Sequence, residues 1–172
     1  MISRVWAAAL VLMAAVATAC GAERAVAPSP SPTPAPVLLP FHGKTFSFAY
    51  PQGWHVWSES FRDGQETVTI ANIPAQTPGP GWLPFGAIKI DFASTEDLSF
   101  PVEPPPRDAQ LLSFPPSNVK FFLWRGDEGV WTIQGVLRAP DRLYIVGVFM
   151  DTEPPATEVV APILGSWLPT PP

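Results

Sequence analysis

Three apolar runs, separated by two short turn segments, occupy most of the chain between Val119 and Met150. In order, the segments read VKFFLWR, GDEG, VWTIQGVLR, APD and RLYIVGVFM. Apolar runs of strand length that are joined by short Gly, Asp and Pro segments are typical of antiparallel strands with tight connections. The region therefore predicts a three-stranded antiparallel meander around which the rest of the domain is arranged.

The last of these runs is apolar on both of the faces that a strand would present. One face carries Leu143, Ile145 and Phe149, and the other carries Tyr144, Val146, Val148 and Met150. A strand of this kind is buried on both sides, so we expect it in the middle of a covered sheet.

A change of period after Asp151 predicts a helix that packs on the sheet. The apolar residues there are spaced by four, as Val159, Ile163 and Trp167 and as Val160, Leu164 and Leu168. That spacing places them on one stripe of a helix. Pro154 and Pro155 suit its first turn, whereas Pro162 is expected to kink or shorten it.

Shorter alternating segments precede the meander. Strands are predicted at Phe46–Tyr50, from Trp54, at Glu66–Asn72 and at Ala87–Phe92, and a short helix is predicted at Arg107–Leu112. With the meander this makes about six to seven antiparallel strands and one or two helices, an α+β domain.

The first residues read as a secretion signal that ends at the only cysteine of the chain. Residues 1–19 combine Arg4 with an apolar run that is too short to span a bilayer. Ala17-Thr18-Ala19-Cys20-Gly21 resembles the bacterial lipobox, in which the cysteine receives diacylglycerol and becomes the mature N-terminus. The alternative is an ordinary secretory signal that is cleaved nearby.

Because Cys20 has no second cysteine to pair with, we expect a domain held together by packing alone, with the thiol used as a lipid anchor. Residues 20–40 are rich in Pro, Ser, Thr and Ala and favour an extended spacer, a Pro-rich docking ligand being the alternative. The globular domain is then 41–169, followed by a tail at 170–172. The protein is expected on the extracytoplasmic face of the cell membrane.

Charge and motifs exclude several function classes. The net charge is −5 and Lys and Arg form no cluster, which argues against nucleic acid as a partner. His42 and His55 form no ligand spacing with other donors, so no metal site is predicted. No G-x-S-x-G, P-loop or G-x-G-x-x-G occurs, and no catalytic residue or cofactor is predicted. The tripeptide Arg125-Gly126-Asp127 is interpreted as a turn.

Several segments resemble a known family. FSFAYPQGW, LPFGAIKIDF and the closing DRLYIVGVFM and ILGSWLP are similar to elements of small secreted bacterial domains with the fold of PsbP, the extrinsic protein of photosystem II. The resemblance covers about Phe41–Pro169. It implies an α/β/α sandwich with an antiparallel sheet between helices, and a first hairpin through Tyr-Pro-x-Gly-Trp. It implies no functional residue, because members of the family bind varied partners.

The Pro- and Gly-rich loop between residues 73 and 86 is the one candidate binding site. Trp82, Leu83 and Phe85 lie in it, and aromatic side chains displayed on a loop are typical binding anchors. The alternative is that they fold back and cap the core. We therefore expect a membrane-anchored, non-enzymatic binding or accessory module for an unknown protein or small ligand. The other possibilities are a structural subunit of an envelope or photosynthetic complex and a secreted enzyme of unrecognised type.

Replacing the cysteine tests the anchor. We expect Cys20→Ala to move the protein from the membrane fraction to the medium, or to block its processing, as measured by cell fractionation and immunoblotting. A variant that is processed and retained like the wild type would contradict the lipid anchor.

Overall fold

The computed structural model describes residues 36–75, 83–126 and 128–170, which lie in one compact unit, Ala35–Pro172. These residues contain strands β1 Leu38–His42, β2 Phe46–Pro51, β3 His55–Arg62, β4 Gln65–Ala71, β5 Ile88–Thr95, β6 Gln110–Ser113, β7 Lys120–Arg125, β8 Trp131–Arg138, β9 Leu143–Met150 and β10 Leu168–Pro169, and the helix α1 Thr157–Ser166. The α+β class predicted from the sequence is confirmed, with antiparallel sheets and one helix in the described residues.

The strands form two antiparallel sheets. The large sheet has seven strands in the order β3-β4-β5-β9-β8-β7-β6, and the small sheet has three in the order β1-β2-β10. Strand β9 lies at the centre of the large sheet, and β7, β8 and β9 are the predicted meander. In that sheet Val148 pairs with Ile90 of β5 on one side and with Ile133 of β8 on the other.

One face of the large sheet, the inner face, is buried along its central strands. Its central row consists of Ile70, Ile90, Val148 and Ile133, each with no exposed surface. Gly135 belongs to the same face, where a Cβ would lie 2.5 Å from the ring of Phe121. A side chain at this position would therefore displace an aromatic ring of the core.

The small sheet and the helix both pack on the inner face. The ring of Phe92 on β5 stacks against Phe48 of β2 with centroids 4.1 Å apart, and lies 6.1 Å from Trp167 at the end of α1. Val160, Ile163 and Leu164 complete the buried side of the helix. The hydrophobic core is therefore the layer between the inner face, the small sheet and α1.

The opposite face of the large sheet, the outer face, is not covered by any helix or strand of the described residues. By strand register and alternation it carries Thr67 and Thr69 on β4, Lys89, Asp91 and Ala93 on β5, Ile145, Gly147 and Phe149 on β9, Thr132, Gln134 and Val136 on β8, Phe122 and Trp124 on β7, and Leu111 on β6. All of these are half-buried except Leu111, which is exposed. The prediction that β9 is buried on both faces is confirmed for Leu143, which lies on the outer side and has no exposed surface, and is wrong for Ile145 and Phe149, which are half-buried.

Two further predictions are corrected by strand pairing. Residues 107–112 do not form a helix. A turn closes at Ala109, and Gln110–Ser113 pair with β7. A helix here would make barely more than one turn, so the hydrogen bonds to β7 stabilise this segment more than helix formation would. Leu38–Pro40, assigned by sequence to the linker, pair with β2, so the folded region begins before Phe41. Pro40 is tolerated because β1 is an edge strand.

The remaining corrections concern turns and the helix. The turn at Pro51–Gly53 does not close a hairpin, because β2 and β3 belong to different sheets. Pro154 and Pro155 precede α1, which begins at Thr157. Pro162 lies inside the ten-residue helix. Val159 and Leu168, predicted on the apolar stripe, are 44% and 52% exposed.

Two neighbouring residues at the end of α1 test the packing of the helix. Trp167 is 1% exposed and Leu168 is 52% exposed. We expect Trp167→Ala to lower the free energy of unfolding by about 3–5 kcal/mol, because truncating a buried Trp leaves a cavity, and Leu168→Ala to lower it by less than about 1 kcal/mol. Denaturant unfolding of both variants measures the difference, and equal losses would contradict the docked helix.

Candidate functional site

A tight turn displays Phe85 to solvent. The backbone N–H of Ala87 donates to the carbonyl of Pro84 at 2.9 Å, and Gly86 has a φ of +80°. That φ matches the third position of a type II turn, which favours glycine, and it places Phe85 at the second position. The side chain of Phe85 is 86% exposed, the largest exposure among the exposed apolar residues described.

The base of this turn is held by two hydrogen bonds of one side chain and by a backbone hydrogen bond. The amide of Asn72 donates to the carbonyl of Gly86 at 3.1 Å and accepts from the N–H of Ile88 at 2.8 Å. The N–H of Gly86 donates to the carbonyl of Asp151 at 2.6 Å. These contacts attach the turn to β4, β5 and the end of β9, so the position of Phe85 is defined by the large sheet.

The structure separates the three residues predicted for this loop. Phe85 is exposed and does not cap the core, whereas Leu83 is half-buried. Trp82 lies outside the described residues, as does Cys20. Binding of a partner by these residues stays a prediction.

The outer face is the second candidate surface. Its apolar side chains lie mainly on β7, β8 and β9, and its hydroxyl and charged side chains lie mainly on β4 and β5. The Lys89 ammonium lies 2.9 Å from a carboxylate oxygen of Asp91 and 4.9 Å from the ring centroid of Phe149. Thr69 donates to the same carboxylate at 2.7 Å. The ring of Phe149 folds over Gly147, where a Cβ would lie 3.3 Å from it.

Glu66 is a buried carboxylate that was not singled out from the sequence. It is 2% exposed and accepts from the backbone N–H groups of Lys44 and Thr45 at 2.8 and 2.7 Å and from the Thr45 hydroxyl at 2.5 Å. The hydroxyls of Thr45 and Ser94 are 2.6 Å apart. The strict alternation of Glu66, Val68 and Ile70 was the signal that placed it on the buried face.

The surroundings of Glu66 indicate a structural role. The carboxylate is enclosed and its oxygens are occupied, so it has no access to a substrate and instead attaches the turn before β2 to the large sheet. Burial raises the pKa of the nearby Tyr144 phenol, which stays neutral at physiological pH.

The described residues contain no group of three His, Cys, Asp or Glu side chains that could hold a metal ion. His42 and His55 are both exposed, on β1 and β3 of different sheets. No helix in this part of the chain is long and apolar enough to span a membrane.

Comparison with known proteins identifies no family. No family model matches the chain, and no curated protein matches it. A crystal structure from Bacteroides thetaiotaomicron is similar at 9% identity and a TM-score of 0.40, over 73% of this chain and 45% of that one. The chain thus spans less than half of that structure, and a similarity at this level identifies neither fold family nor function.

Stability measurements test whether Phe85 is displayed to solvent or supports the core. Phe85→Ala is expected to change the free energy of unfolding by less than about 0.5 kcal/mol, because the side chain is in solvent. Asn72→Ala is expected to lower it by at least about 1 kcal/mol, because it leaves a half-buried N–H without its acceptor. Thermal unfolding of the two variants provides the comparison, and a larger loss for Phe85→Ala would show that Phe85 supports the core.

A matched pair of glutamates tests the buried carboxylate. Glu66→Gln is expected to lower the free energy of unfolding by about 1–3 kcal/mol, because one amide nitrogen then faces a backbone donor. Glu96→Gln removes a partner of Arg142 at a side chain that is 64% exposed, and is expected to cost less than about 1 kcal/mol. A similar loss in both variants would contradict the structural role of Glu66.

Proposed function

We propose that this chain is an extracytoplasmic lipoprotein, anchored through Cys20, whose domain is a non-enzymatic binding module. The observation that carries the proposal is the Phe85 turn. A phenylalanine that is 86% exposed contributes nothing to the core, yet its turn is attached to three strands. Because the backbone of the turn is already ordered, binding of a partner to this apolar side chain costs little conformational entropy of the loop.

The lipid anchor and the spacer fit this role. The segment between Cys20 and β1 is rich in proline, and in extended form it would span roughly 55 Å at about 3.1 Å per residue. The binding module therefore samples a wide zone above the membrane surface while it stays attached. Binding partners in this zone include other envelope proteins and their ligands.

The proposal also includes the fold family of the domain. We place the domain with PsbP-like domains, and the support is a broad antiparallel sheet whose central strand, β9, leads directly into the terminal helix α1. The α/β/α arrangement of such domains needs a second covering layer on the outer face. In this chain the described residues place no helix on that face.

A structural subunit of a larger envelope assembly is the second candidate function. The observation that favours it is the outer face, a broad sheet surface that carries half-buried Phe122, Trp124 and Phe149. Extended apolar surfaces of this kind mark sites of contact between proteins.

Photocrosslinking in living cells tests the binding module. A photoreactive phenylalanine analogue is placed at position 85 of the full chain and, as control, at position 168, which is also exposed but lies in the small sheet. Illumination is expected to give discrete crosslinked products from position 85 and none from position 168.

The yield of crosslinked products from position 85 is expected to fall when the chain also carries Asn72→Ala, because this substitution releases the base of the turn. Labelling at position 85 that equals labelling at position 168 would overturn the proposal.

A further inference from the structure

We propose that strand β6 and the open pocket beside it bind an extended peptide segment of another protein, which adds a strand to the large sheet and brings an acidic side chain to Lys120. This goes beyond the proposed binding module, because it uses a different surface and does not depend on the Phe85 turn. That turn is attached to β4, β5 and β9, whereas β6 is separated from β9 by β8 and β7.

Strand β6 forms one edge of the large sheet and leaves half of its backbone hydrogen-bonding groups unpaired. Its four residues pair with β7 in regular register, and no strand of residues 36–75, 83–126 and 128–170 pairs with its other side. In an antiparallel pair, alternate residues direct both their N–H and C=O groups away from the neighbouring strand. Two residues of β6 therefore each offer a donor and an acceptor to a further strand.

The other edge of the sheet carries features that prevent such pairing. Strand β3 has a break in register between Val56 and Ser58, and Glu59 and Arg62 are exposed along it. Bulges and charged side chains are among the means by which proteins protect edge strands. Strand β6 has neither, and it displays Leu111, which is 57% exposed. Because β6 has only four residues, the strand that it accepts is short.

An open pocket of about 440 Å³ lies along this free edge. It is lined by Leu111, Leu112 and Ser113, three consecutive residues whose side chains alternate between the two faces of the sheet. A pocket that touches all three opens at the edge of the strand rather than on one face. The loop after β6 and the start of β7 contribute Asn118 and Lys120. The pocket therefore has room for the side chains of a strand that lies against β6.

The charge of the pocket indicates an acidic peptide. Lys120 is the only charged side chain among the described residues that line it. This lysine is exposed and forms no ion pair with the described carboxylates. An ammonium group in this position favours a carboxylate on the bound chain and disfavours a cation. We therefore expect the bound peptide to carry Asp or Glu beside Lys120.

The register of β6 on β7 specifies where the acidic residue lies. Lys120 pairs with Ser113, so both residues lie on the outer face, as Leu111 does. In an antiparallel complex, the peptide residue opposite Ser113 lies on the same face, two strand spacings or about 10 Å from the Cα of Lys120. Because Ser113 is small, the flexible lysine side chain reaches a carboxylate over it. Two residues later the peptide meets Leu111, and we expect an apolar residue there.

Fluorescence anisotropy measures binding of a labelled hexapeptide of sequence TETVTV, blocked at both ends, to the full chain purified from membranes in detergent. The Glu of this peptide is its only carboxylate, and a Val follows two residues later. We expect a dissociation constant below about 1 mM, and a loss of affinity of at least about tenfold when Gln replaces the Glu. Amide hydrogen exchange is expected to show that the peptide protects residues 110–113 of β6 and not residues 55–62 of β3.

Two methylated forms of the peptide test the backbone pairing. N-methylation of the odd or of the even residues removes the N–H donors from one or the other edge of the extended peptide. One form is expected to lose binding, because its methyl groups face β6, and the other is expected to bind within about threefold of the unmodified peptide. Two forms that both bind like the unmodified peptide would contradict strand addition.

A charge exchange tests the contact with Lys120 independently of any folding defect. Lys120→Glu is expected to weaken binding of TETVTV by at least about tenfold, and to bind the peptide TKTVTV at least about tenfold more tightly than the wild type does. Arg62→Glu is the control, since it makes the same change of charge at an exposed residue of β3, and is expected to leave both affinities within about twofold. Circular dichroism confirms that both variants are folded.

Three outcomes would overturn the peptide site. They are a wild type that does not bind TETVTV at about 1 mM, protection of β3 in place of β6, and a Lys120→Glu variant that binds TETVTV as tightly as the wild type. If TQTVTV with a free C-terminus binds as tightly as blocked TETVTV, Lys120 holds a chain terminus and the antiparallel register is wrong. Crosslinking at position 85 tests the Phe85 turn separately, so either proposal can fail without the other.

Discussion

Stacking of Phe48 on Phe92 joins the two sheets, and the rest of the architecture depends on that contact. Phe92 lies at the centre of the inner face, 4.1 Å from Phe48 of the small sheet and 6.1 Å from Trp167 at the end of the helix. Both covering elements are thereby placed on one side of the large sheet. The described residues place no helix or strand on the outer face, so the core lies on the other side of the large sheet.

Strand β4 supports two loops through polar side chains at its two ends. Glu66, near its start, accepts three hydrogen bonds from Lys44 and Thr45 and holds the turn before β2 against the sheet. Asn72, just after its end, bonds to Gly86 and Ile88 and holds the Phe85 turn. Buried or half-buried polar groups of this kind are stable only when their partners are correctly placed, so they define loop geometry more sharply than apolar packing does.

The two candidate surfaces depend on different parts of the fold. The Phe85 turn is small, projects from one end of the large sheet and needs only its hydrogen-bonded base. The outer face is broad and needs the register of all the central strands to bring Phe149, Lys89 and Asp91 together. The one deeply buried carboxylate of the described residues, Glu66, is enclosed and fully engaged, so it belongs to neither surface.

Local periodicity in the sequence was sufficient to predict the strands around Phe48, Val68, Ile90 and Ile133 and the helix that ends before Trp167, because alternation and a spacing of four are properties of the chain itself. Periodicity identifies the two faces of a strand but does not say which face another element covers. The tertiary structure alone decided that the strands divide into two sheets, that residues 110–113 pair with β7, and that Ile145 and Phe149 on the outer side of β9 are only half-buried. It also decided that Phe85 points to solvent, because the exposure of a loop residue depends on contacts with segments far away in sequence.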